Sequence, residues 1–432
     1  MLERLFQLRK NNTTIKTEVL AGITTFMTMA YILFVNPTIL STTGMDFTAV
    51  MIGTAIAAAV GTFLTAFLAK IPFAQAPGMG LNAFFTFSVV SGMGYTWQQG
   101  LAIVLLSGVL FLLITISPLR SKMIEMIPRS LKYAISGGIG LFIALIGLLN
   151  AEIITANDNL LSLNLIGKPQ ALALLGVAIT FILMLLKVKG ALLISIVATT
   201  IIGIFTGVTN LPSELTLANV SLAPVFLQFD FNLLSLGLIP LITTILSFTL
   251  VDMFDTIGTL VGTAGNVGML DEEGNLPQGD KALVADAVAT CVGACLGTST
   301  VTTYVESATG IEQGGRTGLT GVVVGILFLL SIFLAPVVGI VPAAATAPAL
   351  IVVGVLMMGS MSKIEWSNLE IAIPAFFTVA IMPFAYSISD GIGFGFISYV
   401  LIKLVLRKWR EVHWLMWIIS ALFIAKYLIP LF

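Results

Sequence analysis

Long apolar stretches, separated by short polar or basic loops, recur from one end of the chain to the other. Most are about 18 to 22 residues long, enough for a helix to cross a hydrocarbon layer about 30 Å thick. The pattern predicts an all-α polytopic membrane protein with fourteen crossing segments. They lie at residues 17–40, 49–70, 75–92, 99–118, 132–150, 170–187, 190–208, 236–264, 282–297, 299–313, 318–340, 343–360, 369–387 and 389–407.

The composition agrees with this pattern and excludes other classes. Of the 432 residues, 58% are hydrophobic and 9% are charged, whereas a soluble domain carries about 25% charged residues. An ordinary soluble enzyme and a disordered chain are therefore excluded. The net charge of −1 gives no bias towards nucleic acid. His413 is the one histidine in the chain, so we expect no histidine-based catalysis, no metal site and no cofactor.

The basic residues support the count of fourteen. With a cytoplasmic N-terminus, nearly all of them fall in predicted inner loops, and Lys168 is the one basic residue in a predicted outer loop. This agreement requires 75–92 and 299–313 to cross, although both are interrupted by glycine, proline or polar residues. The chain is therefore predicted to be a multi-pass protein of the cell membrane. For the tail at 413–432 we favour a packed or interfacial helix over a further crossing.

An internal repeat follows from similar segments in the two halves. Ile23-Thr24-Thr25 recurs as Ile242-Thr243-Thr244, and the same offset brings the interrupted segment 75–92 near 299–313. Seven crossings per half is an odd number, so the halves must have opposite orientations. Inverted repeats with matching broken segments are typical of secondary transporters, whose sites lie near the membrane midplane.

The first interrupted segment contains Pro77, Gly78 and Gly80, which oppose a continuous helix. We interpret 75–80 as extended backbone, followed by a half-helix that starts near Asn82. The free N–H groups at that start could face a ligand, and the Asn82 amide offers both a donor and an acceptor. The alternative is a helix kink that serves close packing.

Two carboxylates, Asp252 and Asp255, lie three residues apart and share one helix face. No lysine or arginine lies nearby in the sequence, and one charge at the bilayer centre costs roughly 2.5–3.5 kcal/mol. We predict that Asp255 faces the substrate, and that Asp252 holds either the backbone of the site or a proton. The alternatives are a position at the membrane edge, or a helix cap formed by one aspartate.

The second interrupted segment has a Thr/Ser run that predicts a short strand, followed by a half-helix from about Glu306. Two extended segments could pair antiparallel and satisfy each other's backbone inside the membrane. Glu306 would then lie at a helix N-terminus, where a negative charge is favoured. The alternative is that Glu306 is a helix cap and nothing more.

Three motifs carry a resemblance to a known family. APGMGLNAFF at 76–85, VDMFDTIGTL at 251–260 and TTYVESATGIEQGGRTG at 302–318 resemble the azaguanine-type purine permeases. These belong to the nucleobase–cation symporters related to the bacterial uracil transporter. The resemblance, which covers nearly the whole chain, implies 7+7 inverted repeats, with a core domain at 1–118 and 236–340 and a gate domain at 119–210 and 341–410. An apolar tail helix at 411–432 would follow.

The resemblance also implies proton-coupled uptake of adenine, guanine and hypoxanthine by an elevator-like movement of the core, in a homodimer formed through the gate domain. Its motifs place substrate contacts on Asp255 and Glu306, with support from Asn82, and make Asp252 a structural or proton-linked residue. In the uracil branch, the segment matching Asp255 to Thr259 carries a glutamate and a histidine. This chain has Asp255 and Thr259 at those positions, so the carboxylates remain as the proton carriers.

Purine chemistry fits these residues. Carboxylates accept from ring N–H groups, while an amide and half-helix N–H groups serve the ring acceptors. An aromatic ring could cover the base, although aromatic residues more often serve packing. The predicted substrate contacts are Asp255, Glu306, Asn82, Gly80, Phe84, Tyr304 and Thr303, and the predicted proton-coupling residues are Asp252, Asp255 and Glu306.

Three other functions are weaker interpretations of the sequence. An anion transporter on a related fold would need basic or purely dipolar site chemistry, which Asp255 and Glu306 oppose. An intramembrane enzyme lacks a nucleophile–base pair. Countertransport that depends on a gradient would distinguish a carrier from a channel. Preference among the purines stays open, because the amino group of adenine and the oxo group of guanine and hypoxanthine require opposite partners.

Overall fold

A computed structural model describes residues 2–157, 160–211, 221–266, 269–270 and 276–428. Within these ranges the chain forms α-helices and two small antiparallel strand pairs. The helices are α1 (Leu2–Phe6), α2 (Ile15–Met29), α3 (Ile32–Leu40), α4 (Phe47–Leu64), α5 (Met79–Ala83), α6 (Trp97–Ile116), α7 (Leu119–Met126), α8 (Arg129–Asn150), α9 (Lys168–Leu185), α10 (Ala191–Thr206), α11 (Leu238–Asn266), α12 (Gly279–Cys295), α13 (Ser307–Glu312), α14 (Gly318–Leu330), α15 (Ala335–Val338), α16 (Ala343–Met358), α17 (Leu369–Phe384), α18 (Ile388–Val405) and α19 (Trp414–Leu428). The strands are β1 (Gln75–Pro77), β2 (Ile154–Asn157), β3 (Leu160–Leu163) and β4 (Val301–Thr303).

Nine helices in the described ranges are long and apolar enough to cross a membrane. Four shorter apolar helical segments accompany them, at Met79–Gly92, Ala191–Thr206, Leu369–Phe384 and Trp414–Leu428. The first consists of α5 and its continuation as a π-helix over Phe84–Gly92. Large apolar side chains such as Phe205, Phe333 and Phe384 lie exposed on the outside, as expected of a surface that contacts lipid. The prediction of a helical multi-pass membrane protein is confirmed. The count of fourteen crossings and the inverted repeat stay predictions.

The segment predicted at 17–40 is one candidate crossing, Ile15–Thr43, in which α2 and α3 meet at Ala30 and Tyr31. A hairpin of β2 and β3, paired from Ile154 opposite Leu163, lies between α8 and α9 and was not predicted, because strands of four residues give too short a periodic signal. Parts of the predicted domains and tail, at 158–159, 267–268, 271–275 and 429–432, lie outside the described residues.

The helices pack in two groups. In the first packing group, defined as α2 to α6 with α11 to α14, α6 packs on α11 and α12, and α14 packs on α2 and α4. In the second, defined as α8 to α10 with α16 to α18, α8 packs on α16 and α17, and α9 packs on α10 and α16. Fewer contacts join the groups, for example α5 on α8 and α3 on α16. The division into moving core and gate domains stays a prediction.

A buried carboxylate ties α2 to α14. Glu18 accepts hydrogen bonds from the backbone N–H groups of Arg316 at 2.9 Å and Thr320 at 3.1 Å, and from the Thr320 hydroxyl at 2.6 Å. A helix start leaves N–H groups without partners and favours a negative charge. Glu18 therefore caps α14 from another helix, at a position about 300 residues earlier in the chain.

Small residues allow α8 and α16 to approach closely. A Cβ at Gly354 would lie 2.4 Å from the carbonyl oxygen of Gly140 and 2.8 Å from Cβ of Ala144. Close backbone approach at small residues is a common way for membrane helices to associate. Glycine at position 354 is therefore required by the crossing.

We predict that Gly354→Ala lowers the melting temperature of the detergent-solubilised protein, because overpacking costs about 1–3 kcal/mol. Gly359→Ala is the matched control, since a Cβ at Gly359 meets nothing within 4 Å. Fluorescence-monitored thermal unfolding measures both. Equal melting temperatures for the two variants would contradict the packing argument.

Candidate functional site

The site is built around a pair of strands inside the helical bundle. β1 and β4 are antiparallel, with Gln75 opposite Thr303 and Pro77 opposite Val301. The Gly78 N–H donates to the Thr300 carbonyl oxygen at 3.0 Å and extends the ladder. All six strand residues are buried. The prediction that the two interrupted segments pair is confirmed, and the pairing satisfies backbone groups that lipid cannot.

Each strand is held at its first residue by a threonine from the preceding long helix. On α4, the Thr62 hydroxyl donates to the Gln75 carbonyl oxygen at 3.1 Å and accepts from the Gln75 N–H at 2.9 Å. On α12, the Thr290 hydroxyl contacts the Val301 carbonyl oxygen at 3.1 Å and the Val301 N–H at 3.2 Å. The first residue of each strand is thus held in the same way, by a threonine hydroxyl that contacts both its backbone N–H and its carbonyl oxygen.

A short helix follows each strand, as predicted, but the first one starts earlier than expected. Extended backbone ends at Gly78 and α5 begins at Met79, so Gly80 and Asn82 lie in the helix. Gly80 serves close packing, since a Cβ there would lie 2.5 Å from Cγ2 of Ile139 on α8. After β4, α13 begins at Ser307 with Glu306 as its N-cap residue.

Three predicted carboxylates lie beside the strand pair. Asp252 and Asp255 lie in the middle of the 29-residue helix α11, which packs against β4 and α13. Asp252 is buried and accepts from the Thr290 hydroxyl at 2.9 Å. Asp255 and Glu306 are only partly buried, which leaves them the better placed of the three to meet a ligand.

A fourth carboxylate was missed by the sequence analysis. Asp286 on α12 is fully buried and accepts from the Gln75 amide at 3.0 Å and from the Thr256 hydroxyl at 2.8 Å. Its sequence signal is a lone acidic residue inside a predicted crossing segment. The Thr256 hydroxyl also contacts the Thr302 hydroxyl at 2.8 Å, so Asp286 is linked to both strands.

Several predicted contact residues already have structural partners. The Phe84 ring packs 4.5 Å from the Phe248 ring centroid, and the Tyr304 hydroxyl donates to the Pro77 carbonyl oxygen at 2.6 Å. The Thr303 N–H donates to the Thr256 hydroxyl at 3.2 Å. These residues shape the strand pair, and their contact with a substrate stays a prediction.

Asn82 differs from these residues in having an unused donor. Its side-chain oxygen accepts from the Ser299 hydroxyl, while its buried Nδ2 has no hydrogen-bond partner among the described residues. A buried donor without a partner costs about 1–3 kcal/mol. A water molecule or a ligand would supply the missing acceptor.

The fold also brings a basic residue close to the acidic helix turn. The Lys132 ammonium group, from α8, lies 5.0 Å from the ring centroid of Phe254, which stands between the two aspartates of α11. Along the chain itself, no lysine or arginine lies near these aspartates. A contact across 122 positions gives no signal in the sequence.

Buried strands followed by short helices, with carboxylates inside a multi-pass helical bundle, define a membrane transport protein of the permease class. The chain belongs to the family described as "Permease family" (Xan_ur_permease), whose family model matches residues 16–394. The family resemblance found in the sequence is thereby confirmed.

Relatives match over nearly their whole length. The chain is 49% identical to a putative permease of Methanocaldococcus jannaschii, with 99% of this chain and 98% of the relative covered. It is 45% identical to the adenine permease AdeP of Escherichia coli, with 99% and 96% covered. It is 44% identical to the guanine/hypoxanthine permease PbuO of Bacillus subtilis, with 98% and 99% covered.

A solved structure shows the same fold at low identity. The transmembrane domain of the cyanobacterial bicarbonate transporter BicA superposes with a TM-score of 0.63 and 17% identity, covering 89% of this chain and 97% of that domain. At this identity the likeness concerns the fold alone.

We predict that Thr256→Val lowers the thermal stability of the protein, because it removes the partner of buried groups on Asp286, Thr302 and the Thr303 backbone. Each buried group left unsatisfied costs about 1–3 kcal/mol. Thr243→Val is the matched control on the same helix, since the buried Thr243 hydroxyl donates to the backbone carbonyls of Ile239 and Pro240, both at 3.0 Å. Thermal unfolding in detergent compares the melting temperatures of the two variants. Equal decreases would show that the hydrogen bonds of Thr256 beside the strand pair add nothing to stability.

Proposed function

We propose that the protein imports the purine nucleobases adenine, guanine and hypoxanthine by secondary active transport with protons. The observation that carries the proposal is the placement of two partly buried carboxylates beside the paired strands, Asp255 on α11 and Glu306 at the start of α13, on helices that pack against each other. The printed names of the relatives, an adenine permease and a guanine/hypoxanthine permease, support the substrate class.

The proposed binding chemistry follows from the hydrogen-bond inventory of a purine. Ring N–H groups donate to the carboxylates of Asp255 and Glu306, and a ring nitrogen or the 6-oxo group accepts from the free Nδ2 of Asn82. A charged partner makes such hydrogen bonds stronger than neutral ones. Gly80, Phe84, Thr303 and Tyr304 complete the proposed pocket lining.

The proposed coupling ion is the proton, carried by Asp252, Asp255 or Glu306. Carboxylates that lie close together inside a membrane favour the binding of a shared proton, because two neighbouring charges repel each other. The one histidine, His413, precedes α19 and lies outside this cluster. A carboxylate-only relay therefore suits this chain better than a histidine-assisted step.

The proposed transport movement is elevator-like, with the first packing group as the core domain and the second as the gate domain. Asn82, Asp255 and Glu306 all belong to the first packing group, so a substrate bound to them would travel with that group. The sparse contacts between the groups support movement of one against the other. A homodimer through the second packing group, and a cytoplasmic N-terminus in the cell membrane, complete the proposal.

The fold by itself is also compatible with anion transport. The bicarbonate transporter domain shares the fold, but Asp255 and Glu306 would repel an anion at the proposed site. The same transport assay distinguishes the two functions when bicarbonate and sulfate are offered beside the bases.

We expect purified protein in proteoliposomes to accumulate a labelled purine when an inward proton gradient is applied in sodium-free buffer. A protonophore should abolish the accumulation, because the gradient is its driving force. The assay offers adenine, guanine, hypoxanthine, xanthine and uracil in parallel. Absence of uptake of every base by folded protein would refute the proposed substrate class, while uptake that ignores the protonophore would refute proton coupling.

We expect Asp255→Asn and Glu306→Gln to abolish purine uptake while leaving the protein inserted and monodisperse. Each change keeps the shape of the side chain but removes the charge that accepts from the base and binds the proton. Glu312→Gln is the matched control, because Glu312 ends the same short helix and is exposed. Normal uptake by folded Glu306→Gln protein would remove Glu306 from the site.

A further inference from the structure

Helix α2 lies tightly against α13, the short helix that begins after Glu306. A Cβ at Gly310 would lie 2.1 Å from Oγ1 of Thr25 and 2.7 Å from the carbonyl oxygen of Ala21. One turn further along, the hydroxyls of Thr28 and Thr309 are hydrogen-bonded at 3.1 Å. The relative position of the two helices is therefore fixed by close packing as well as by a polar contact.

The next contact along this interface is made by Tyr31, at the break between α2 and α3. Its side chain is buried, and its hydroxyl donates to Oε1 of Glu306 at 2.7 Å. A hydrogen bond to a carboxylate is about twice as strong as a bond between neutral groups. Since the Tyr31 ring is packed on all sides, its hydroxyl holds Oε1 at a fixed point.

Nothing in the local sequence singles out Tyr31, because its partner lies 275 positions away. With Oε1 held by Tyr31, the carboxylate plane of Glu306 can no longer turn freely, and Oε2 is the oxygen that Tyr31 leaves for another donor. A binding group that is already oriented loses less side-chain entropy when the ligand arrives.

We propose that Tyr31 is a positioning residue for substrate binding, which orients Glu306 so that Oε2 accepts an N–H group of the purine. This inference rests on the proposed function and deepens it, because it adds a residue of the first crossing segment to the determinants of affinity. The role acts on binding, so the substrate concentration for half-maximal uptake changes while the maximal rate is kept.

The test is Tyr31→Phe, which removes the hydroxyl and keeps the ring. We expect the KM for purine uptake to rise about tenfold, the size of effect expected when one hydrogen bond to a charged group is lost. The maximal rate should stay within about twofold of wild type. Tyr95→Phe is the matched control, since the buried Tyr95 hydroxyl donates to the Leu233 carbonyl oxygen at 3.3 Å, in a short 3-10 turn before α11.

A double-variant comparison separates positioning from general stability. Glu306→Asp shortens the side chain and withdraws the carboxylate from the Tyr31 hydroxyl, so adding Tyr31→Phe to Glu306→Asp should change the KM by less than about twofold. Should Glu306→Asp be inactive in uptake, the same comparison is made by equilibrium binding of labelled purine in detergent to Tyr31→Phe, Glu306→Asp and the double variant.

The outcomes are distinguishable from those of the proposed function. If wild type transports purines and Tyr31→Phe has an unchanged KM, or if Tyr95→Phe raises the KM equally, the role of Tyr31 is refuted and the proposed function stands. A fall in maximal rate at constant KM also refutes it. If folded wild type transports no purine, both proposals fail together.

Discussion

Backbone hydrogen bonding inside the membrane is the constraint on which the centre of this fold depends. Pro77 and Gly78 in one half, and the Thr/Ser run in the other, prevent two crossing segments from forming complete helices. Their backbone groups would be left without partners in lipid, where each unsatisfied group costs several kcal/mol. Pairing β1 with β4 satisfies them, and the hydroxyls of Thr62 and Thr290 secure the first residue of each strand. The short helices and the carboxylates take their positions from this pair.

Much of this centre could be predicted from local sequence signals. Proline, glycine and a threonine-rich run mark interrupted segments, and aspartates within an apolar stretch mark a site. The starting point of α5 was predicted about three residues too late, because Gly80 was assigned to extended backbone when its missing side chain serves close packing against Ile139. A glycine in this segment can serve either extended backbone or close packing, and its contact with Ile139 shows that Gly80 serves packing.

Contacts between distant positions could not be predicted in this way. Asp286 binds Gln75 across 211 positions, and Tyr31 binds Glu306 across 275. Neither pairing leaves a periodic or motif-like signal, because local sequence does not show which distant residues meet. Local signals and the family resemblance both indicated the carboxylates of the motifs, but hydrogen-bond partners outside the motifs require the coordinates. The substrate class rests on the names of full-length relatives together with the chemistry of these groups.

The cap formed by Glu18 has a consequence for how the chain is assembled during synthesis. Its partners, from Arg316 to Thr320, follow about 300 residues later, which at about 5–20 residues per second is roughly 15 to 60 seconds of translation. Until then, the carboxylate in the first turn of α2 lacks the helix end that it caps. Completion of the bundle is thus coupled to the arrival of its second half, and a ribosome stalled before residue 316 would leave an acidic, incompletely assembled segment open to quality-control proteases.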